Sequence, residues 1–426
     1  LSIHSAASTT ENPTIPAMTK LTDHDLLIAG AGAAGLTMAV AAVDAGWRVA
    51  LIDPGPMTAK PHEHSAGDAR TTAIMASGIR MLERLGVWDG LAGISAPLRL
   101  LELVDDSVRP PMRQRFDASE IGQDWFAQNI PNDALKGALL ARLAGSDKIT
   151  MLPGNKVLSI SNRGDHMLVA TETGRLTTRL LVAADGHKSP CRQMLRLSVS
   201  ARTPRETALV FNTDHSLDHD GVSYEFHGPL TGNGKTAQVT TIPLPGKRSA
   251  INVVGDQATI SAIMDMDAAA RATMVGQATR QVLGTITETE APKSFPIRPF
   301  TARRLSAERA VLIGEAAHAL PPIGAQGLNT TLADIAVLID LMGDAANDDP
   351  GRQQVTDSYA RQRRADIMAR SNATGMLSDM VHRGNPLIDR LRRVGLQAIG
   401  NIGPLRRQLM ARGMEPVGKV PPLMAK

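Results

Sequence analysis

A short apolar run, Leu26-Leu27-Ile28, leads into Gly30-Ala31-Gly32-Ala33-Ala34-Gly35, three glycines in the spacing GxGxxG. An alanine-rich helical stretch closed by Gly46 follows, and a second apolar strand, Val49 to Ile52, ends at Asp53. Strand, glycine turn, helix and strand in that order is the context in which this spacing specifies a phosphate-binding βαβ unit. Each glycine answers a separate steric demand. Gly30 permits the tight turn, Gly32 lets the backbone approach a pyrophosphate, and Gly35 allows the helix to pack closely on the strand. The helix start offers unpaired N–H groups and the positive end of its dipole to phosphates. Asp53, 18 residues beyond Gly35, is placed to accept hydrogen bonds from ribose hydroxyls.

Two further apolar strands end in a glycine beside an acid. One is Arg179-Leu180-Leu181-Val182-Ala183-Ala184-Asp185-Gly186, running on to Ser189 and Arg192. The other is Ala310-Val311-Leu312-Ile313-Gly314-Glu315-Ala316-Ala317-His318, continuing through Pro321-Pro322 and Gln326-Gly327-Leu328-Asn329 into a helix. Three such strand ends exceed the needs of a mononucleotide, and one long ligand touching all three accounts for them. Residues 195–300 read differently, as alternating stretches such as TALVFNT and AQVTTIPLP broken by Gly, Pro and Asp, which predicts an antiparallel sheet. From about 350 the pattern is helical.

Composition excludes several other classes. Cys191 is the one cysteine, so neither a disulfide framework nor a multi-cysteine metal site is available. The 11 aromatic residues are too few for extensive base stacking, and nucleic acid is not an expected partner. No run of about 18 apolar residues predicts a membrane span. A reducing, cytoplasmic setting is expected. Residues 1–20 lack a basic start and an apolar stretch and read as a disordered leader. His62-Glu63-His64 has no third ligand nearby and reads as a polar loop, so no metal is expected.

In order and spacing, the three glycine-acid sites resemble the flavin-dependent aromatic hydroxylases, the group of para-hydroxybenzoate hydroxylase. Asp68-Ala69-Arg70-Thr71-Thr72-Ala73-Ile74, Asn129-Ile130-Pro131-Asn132-Asp133-Ala134-Leu135 and Glu225-Phe226-His227-Gly228-Pro229 are most similar to the ubiquinone-biosynthesis hydroxylases within it. The resemblance spans roughly residues 24 to 412. It implies an α/β fold: a Rossmann-like FAD-binding domain, an inserted antiparallel-sheet substrate domain and C-terminal helices. The implied bounds are a leader at 1–20, the first part of the FAD-binding domain at 21–194 with substrate-domain strands near 97–125, the substrate domain at 195–300, the second part at 301–345, and C-terminal helices with a basic tail at 346–426. Three departures from the family pattern stand out: Glu315 in place of the commoner Asp, Gly324-Ala325 in reversed order, and SAINVV where relatives often carry a Trp.

The resemblance implies bound FAD, with NADH or NADPH as a transient donor, since a single GxGxxG leaves no separate nicotinamide domain. Gly30, Gly32, Gly35, Asp53, Arg70, Asp185, Gly186, Gly314, Glu315, Pro322, Gly327, Leu328 and Asn329 are the implied cofactor contacts. Asp53 would bind the adenosine ribose, Arg70 would lie near the flavin or its phosphates, and Asp185 and Glu315 would contact the pyrophosphate and ribityl regions. The N–H groups of Gly327, Leu328 and Asn329 would face charge on the reduced ring. His318 is either a structural hydrogen-bonding residue or a proton-transfer group. Cys191 reads as a small packed residue. The implied reaction is hydroxylation of the aromatic ring of a polyprenylated ubiquinone precursor by dioxygen through a flavin hydroperoxide. The alternatives are hydroxylation of a small soluble phenol or hydroxybenzoate, and a non-catalytic prenyl-binding protein of the same fold.

The basic excess is local. Residues 381–426 hold nine Lys and Arg against Asp389 and Glu415, a net of +7, and the rest of the chain carries −3. Leu387, Leu391, Val394, Leu396 and Ile399 accompany those charges. This tail either rests on an anionic membrane surface, peripheral on its inner face, or packs on the core with a solvated basic side. Other ubiquinone-biosynthesis proteins are the remaining expected partners.

Overall fold

The computed structural model describes residues 22–58, 70–107, 110–201, 206–230, 236–322, 324–382, 403–416 and 418–426. The leader at 1–20, His62-Glu63-His64, Asp68-Ala69 and the tail charges between 383 and 402 lie outside the described residues.

The glycine pattern produces its unit as expected: β1 (Thr22–Ala29), α1 (Ala33–Asp44) and β2 (Val49–Asp53). β3 (Thr71–Met75) runs directly into α2 (Ala76–Arg84), followed by the short α3 (Asp89–Ala92). Next come β4 (Ala96–Leu98), β5 (Leu100–Asp105), β6 (Met112–Asp117), β7 (Ala127–Pro131), α4 (Asn132–Leu143) and β8 (Ile149–Pro153). β9 (Val157–Asn162) and β10 (Met167–Thr171) precede the long β11 (Gly174–Ala183), α5 (Pro190–Met194) and β12 (Val199–Ala201). Four long strands follow: β13 (Glu206–His215), β14 (Val222–Pro229), β15 (Thr236–Leu244) and β16 (Arg248–Gly255). Then come α6 (Gln257–Met264), α7 (Ala268–Ala278), β17 (Ile286–Glu288) and β18 (Lys293–Ile297). The chain returns through β19 (Phe300–Ala302), β20 (Ser306–Ala307), β21 (Ala310–Leu312) and β22 (His318–Ala319) to α8 (Gln326–Met342), α9 (Gln353–His382) and α10 (Gly403–Gly413).

The central sheet runs β20-β21-β11-β1-β2-β8, and the strands from β21 to β8 are parallel. Parallel strands covered on both faces read as continuous apolar runs. Leu26, Leu27, Ile28, Leu180, Leu181 and Val182 are accordingly fully buried, against α1 on one side of the core cluster and α8 among its other members.

The second sheet runs β17-β13-β16-β15-β14-β5-β6, with β18 beside β13. It is antiparallel as the alternation predicts, except that β14 pairs in parallel with β5, a strand contributed from far upstream. One face carries Leu209, Phe211, Val239, Ile251 and Val253, packed with residues of α6 and α7. Since directly paired residues share a face, the register Val210–Asn252–Thr240–Glu225 lies on the other side. A three-stranded sheet, β3-β7-β4, sits beside it, and β15 runs against both β4 and β7.

Candidate functional site

The strand order brings the sequence signals together. β21, β11, β1 and β2 are neighbours, and the chain leaves their carboxyl ends at Gly314, Asp185, Gly30 and Asp53 respectively. That edge is where open α/β sheets bind ligands.

The glycine turn is sterically committed. Gly30 has φ +104°, and a Cβ there would fall 2.4 Å from the Ala184 carbonyl oxygen. Gly32 has nothing within 4 Å of the place a Cβ would occupy. It is the N-cap of α1, with no side-chain capping bond and no acidic residue in the first turn. Orphan N–H groups at an open, uncharged helix start fit an anionic phosphate group. Asp53 is partly committed: its Oδ2 accepts from the Ala31 N–H at 2.7 Å and its Oδ1 from the Gly55 N–H at 2.7 Å. It therefore braces the glycine turn, and each oxygen retains a lone pair for a further donor.

The second signal is a capping device. Asp185 accepts from the Ser189 hydroxyl and, at 2.8 Å, from the Cys191 N–H, while Ser189 Oγ caps α5 by accepting from the Arg192 N–H at 3.0 Å. Gly186 has φ +77° and open space where a Cβ would stand. Buried Arg192 donates to the Ala316 carbonyl at 2.8 Å and the His187 carbonyl at 2.9 Å, with its guanidinium 4.8 Å from the Phe300 ring centroid. The second signal thus holds the third in place. Burial, and then the nearby Asp185 carboxylate, push the Cys191 thiol far up, so it stays a protonated, packed side chain.

In the third signal Gly314 adopts φ +56° and Glu315 is exposed, with no hydrogen bond to another described residue. Pro322 and Gly327 are exposed and Leu328 is half-buried. α8 is N-capped by Ala325, again with no side-chain capping bond and no acid in its first turn. The Asn329 side chain is occupied: it donates to the Ala73 and Ala325 carbonyls at 2.8 and 2.7 Å and accepts from the Met75 N–H at 2.9 Å, tying α8 to β3. Arg70, next to β3, lies with its guanidinium 5.4 Å from the Phe295 ring centroid. Phe295 pairs with Ala208, on the face of the second sheet opposite α6 and α7.

Sequence reasoning missed a buried charge network behind this site. His318 Nε2 lies 2.7 Å from Asp334 Oδ2, which also accepts from the Gly314 N–H at 3.0 Å. Asp334 Oδ1 accepts from Arg363 Nε at 2.7 Å, and Arg363 donates onward to Asp366 at 2.7 Å. Burial alone would raise the Asp334 carboxyl, but attraction to His318 and Arg363 and their hydrogen bonds outweigh it and hold it below the usual range. The same pairing holds Arg363 above its usual range despite burial. Of the two roles open to His318, this geometry fits the structural one, since the ring is 2% exposed and engaged with Asp334. The available signal was Tyr359, Arg363, Asp366 and Arg370, spaced 4, 3 and 4 along α9, a polar stripe on one helix face.

On β7, Asn129 is fully buried with no partner for either amide atom, and Asn212 and Asn252 of the second sheet each bury an unpartnered Oδ1. Asn129 lies on the side of its sheet away from core residues Ile74 and Ile130, and Asn212 and Asn252 lie on the face opposite α6 and α7. Among the described residues no group of His, Cys, Asp and Glu could hold a metal, and no helix is long and apolar enough to cross a membrane.

A family model described as an FAD binding domain matches residues 23–373. The ubiquinone hydroxylase UbiL of Rhodospirillum rubrum is 27% identical over 94% of this chain and 92% of its own length. UbiM of Neisseria meningitidis, also a ubiquinone hydroxylase, is 25% identical over 90% of this chain and 83% of its own. The crystal structure of P. aeruginosa PqsL in complex with 2-aminobenzoylacetate superposes with a TM-score of 0.73 at 20% identity, covering 84% of this chain and 97% of PqsL. Three glycine-bearing strand ends on one sheet edge, two open helix starts and a match across most of the chain agree: this chain belongs to the FAD-binding domain family and is an FAD-binding enzyme of the aromatic hydroxylase class.

Proposed function

We propose that this enzyme hydroxylates the aromatic ring of a polyprenylated ubiquinone precursor, using dioxygen and electrons from NADH or NADPH. The observation that carries the reading is similarity to UbiL and UbiM, both ubiquinone hydroxylases, over most of the length of each. Bound FAD would accept electrons from the nicotinamide and activate dioxygen for transfer to an electron-rich ring.

The chain's own residues supply binding, orientation and shielding. Gly30, Gly32 and Gly35 shape the turn at the start of α1, whose N–H groups would hold the pyrophosphate. Asp53 would receive a ribose hydroxyl while bracing Ala31, and Glu315 would reach the ribityl chain from its exposed position. The uncapped start of α8 at Gly327 and Leu328 would face negative charge on the reduced ring. The face of the second sheet opposite α6 and α7, beside β7, would take the aromatic ring, where the amides of Asn129, Asn212 and Asn252 offer neutral hydrogen-bonding groups suited to ring oxygens. Excluding water there would limit the loss of activated oxygen as hydrogen peroxide.

A prenylated substrate resides in a bilayer, and exposed Arg407, Lys419 and Lys426 support contact with an anionic membrane surface. Salt-sensitive binding of the full chain to anionic but not neutral vesicles is the expected result, and equal binding to both would remove this part of the reading.

The decisive experiment deletes the gene and identifies accumulated quinone precursors by mass spectrometry. A prenylated intermediate lacking one ring hydroxyl is expected. An unchanged quinone pool, with purified protein oxidising NADH or NADPH in response to a soluble phenol, would replace the substrate. A colourless protein that binds isoprenoids would replace the enzyme reading.

A further inference from the structure

The buried charge network does not stop at Asp366. Arg370, one helical turn further along α9, donates through Nε to Asp366 Oδ1 at 2.9 Å, through Nη1 to the Gln326 side-chain oxygen, and through Nη2 to the Glu415 carbonyl at 2.7 Å. Gln326 is the first residue of α8, and its amide nitrogen donates to the Gly324 carbonyl at 3.0 Å. Gly324 and Ala325 both have left-handed backbone conformations, with φ +64° and +54°. Ala325 has no glycine freedom, so this turn needs external support.

The third acceptor belongs to the segment after α10, which is itself strapped onto α2. Ser77 donates to the Met414 carbonyl at 3.1 Å, Arg80 to the Met424 carbonyl at 2.9 Å, and Arg84 to the Pro422 carbonyl at 2.6 Å. Met424 is buried. These three acceptors are main-chain carbonyls, and Arg80 also reaches the Glu415 carboxylate at 3.4 Å, so backbone position does most of the holding and one ion pair adds to it. A planar guanidinium with five donors can bind an acid, an amide and a carbonyl at once, whereas an ammonium offers one compact point of charge.

We propose that Arg370 is a positioning residue for the flavin: it holds the open start of α8 in place by tying Gln326 to the C-terminal strap. The strap residues 414–416 and 418–424 are then part of the cofactor site although they supply no group to it. The proposal rests on FAD binding and is independent of which ring is hydroxylated.

The test uses the full chain carrying Arg370→Ala, Arg370→Lys, Gln326→Leu, or Arg370→Ala with Gln326→Leu. FAD affinity is measured by titrating apo-protein, and amide hydrogen exchange of apo-protein is followed at 324–330 and at 414–424. Arg370→Ala is expected to weaken FAD binding about tenfold and to accelerate exchange in both segments, with Arg370→Lys recovering only part of the loss. The double variant should be no weaker than Arg370→Ala, because both changes break one linkage. Affinity within about twofold of the parent, exchange altered in one segment alone, or additive losses would overturn the proposal. Should Arg370→Ala fail to fold, Gln326→Leu decides: faster exchange at 414–424 supports the linkage, and a change confined to 324–330 refutes it. None of these readouts involves substrate, so a wrong assignment of the ring leaves them intact.

Discussion

A Cβ added to Gly35 would stand 1.8 Å from the carbonyl oxygen of Gly30, while the same addition at Gly32, between them, would meet nothing within 4 Å. The three glycines of one turn therefore divide into structural and ligand-facing positions. Gly35→Ala should destabilise the apo-protein by about 3 kcal/mol or more, because the obstacle is backbone. Gly32→Val should change apo-protein stability by less than about 1 kcal/mol yet leave the purified protein colourless. Denaturant unfolding of apo-protein, paired with absorbance in the flavin bands, separates the two; a yellow Gly32→Val protein with full flavin content would contradict the division.

Asp334 is wholly buried between His318 and Arg363. Asp334→Asn removes one of the two buried carboxylates paired with Arg363 and should cost about 3–5 kcal/mol at pH 7. The carboxyl is depressed in the folded protein, so its contribution is present above the unfolded value of about 3.9 and is lost as pH falls through the lower, folded value. The stability gap between parent and variant should thus persist from pH 7 to about 5 and narrow below about 4. A gap unchanged down to the acid transition would show that the charge of Asp334 is not what the fold uses.

Arg192 joins the second glycine-acid signal to the third through two carbonyls and the Phe300 ring. Arg192→Lys cannot serve both carbonyls in that geometry. It should cost about 1.5–3 kcal/mol and weaken FAD binding in step, measured by denaturant midpoint and flavin titration. A stable variant with normal affinity would show that the two strand ends hold their spacing without this bridge.

The reversed Gly324-Ala325 order leaves an alanine at φ +54°. Ala325→Gly relieves that conformation but loosens the unfolded chain, and the two effects partly cancel. A net stabilisation of no more than about 1 kcal/mol is expected in the denaturant midpoint. Destabilisation would mean that Ala325 contributes packing that outweighs its backbone strain.

What the residues alone determined is local and stereochemical. Glycines at 30, 32 and 35, an acid at 53, and apolar runs ending at Asp185 and Gly314 each impose a turn or a buried strand within a few residues, and such constraints survive without knowledge of the partners. The alternation over 195–300 likewise specified the second sheet, apart from β5 and β6, which come from residues 100–117; β5 pairs in parallel with a strand more than a hundred residues away. Tertiary structure alone decided how those signals are held. It set three strand ends side by side, turned Asp53 and Asp185 inward onto backbone N–H groups, and buried Asp334, Arg363 and Asp366 behind the site. Charged residues on a helix read as a solvated face, because their desolvation is offset only by acceptors and donors that folding brings from distant positions. The strap over α2 is harder still to foresee, since Arg80, Arg84 and Arg370 each hold it through a carbonyl oxygen, a group that every residue carries and no sequence distinguishes.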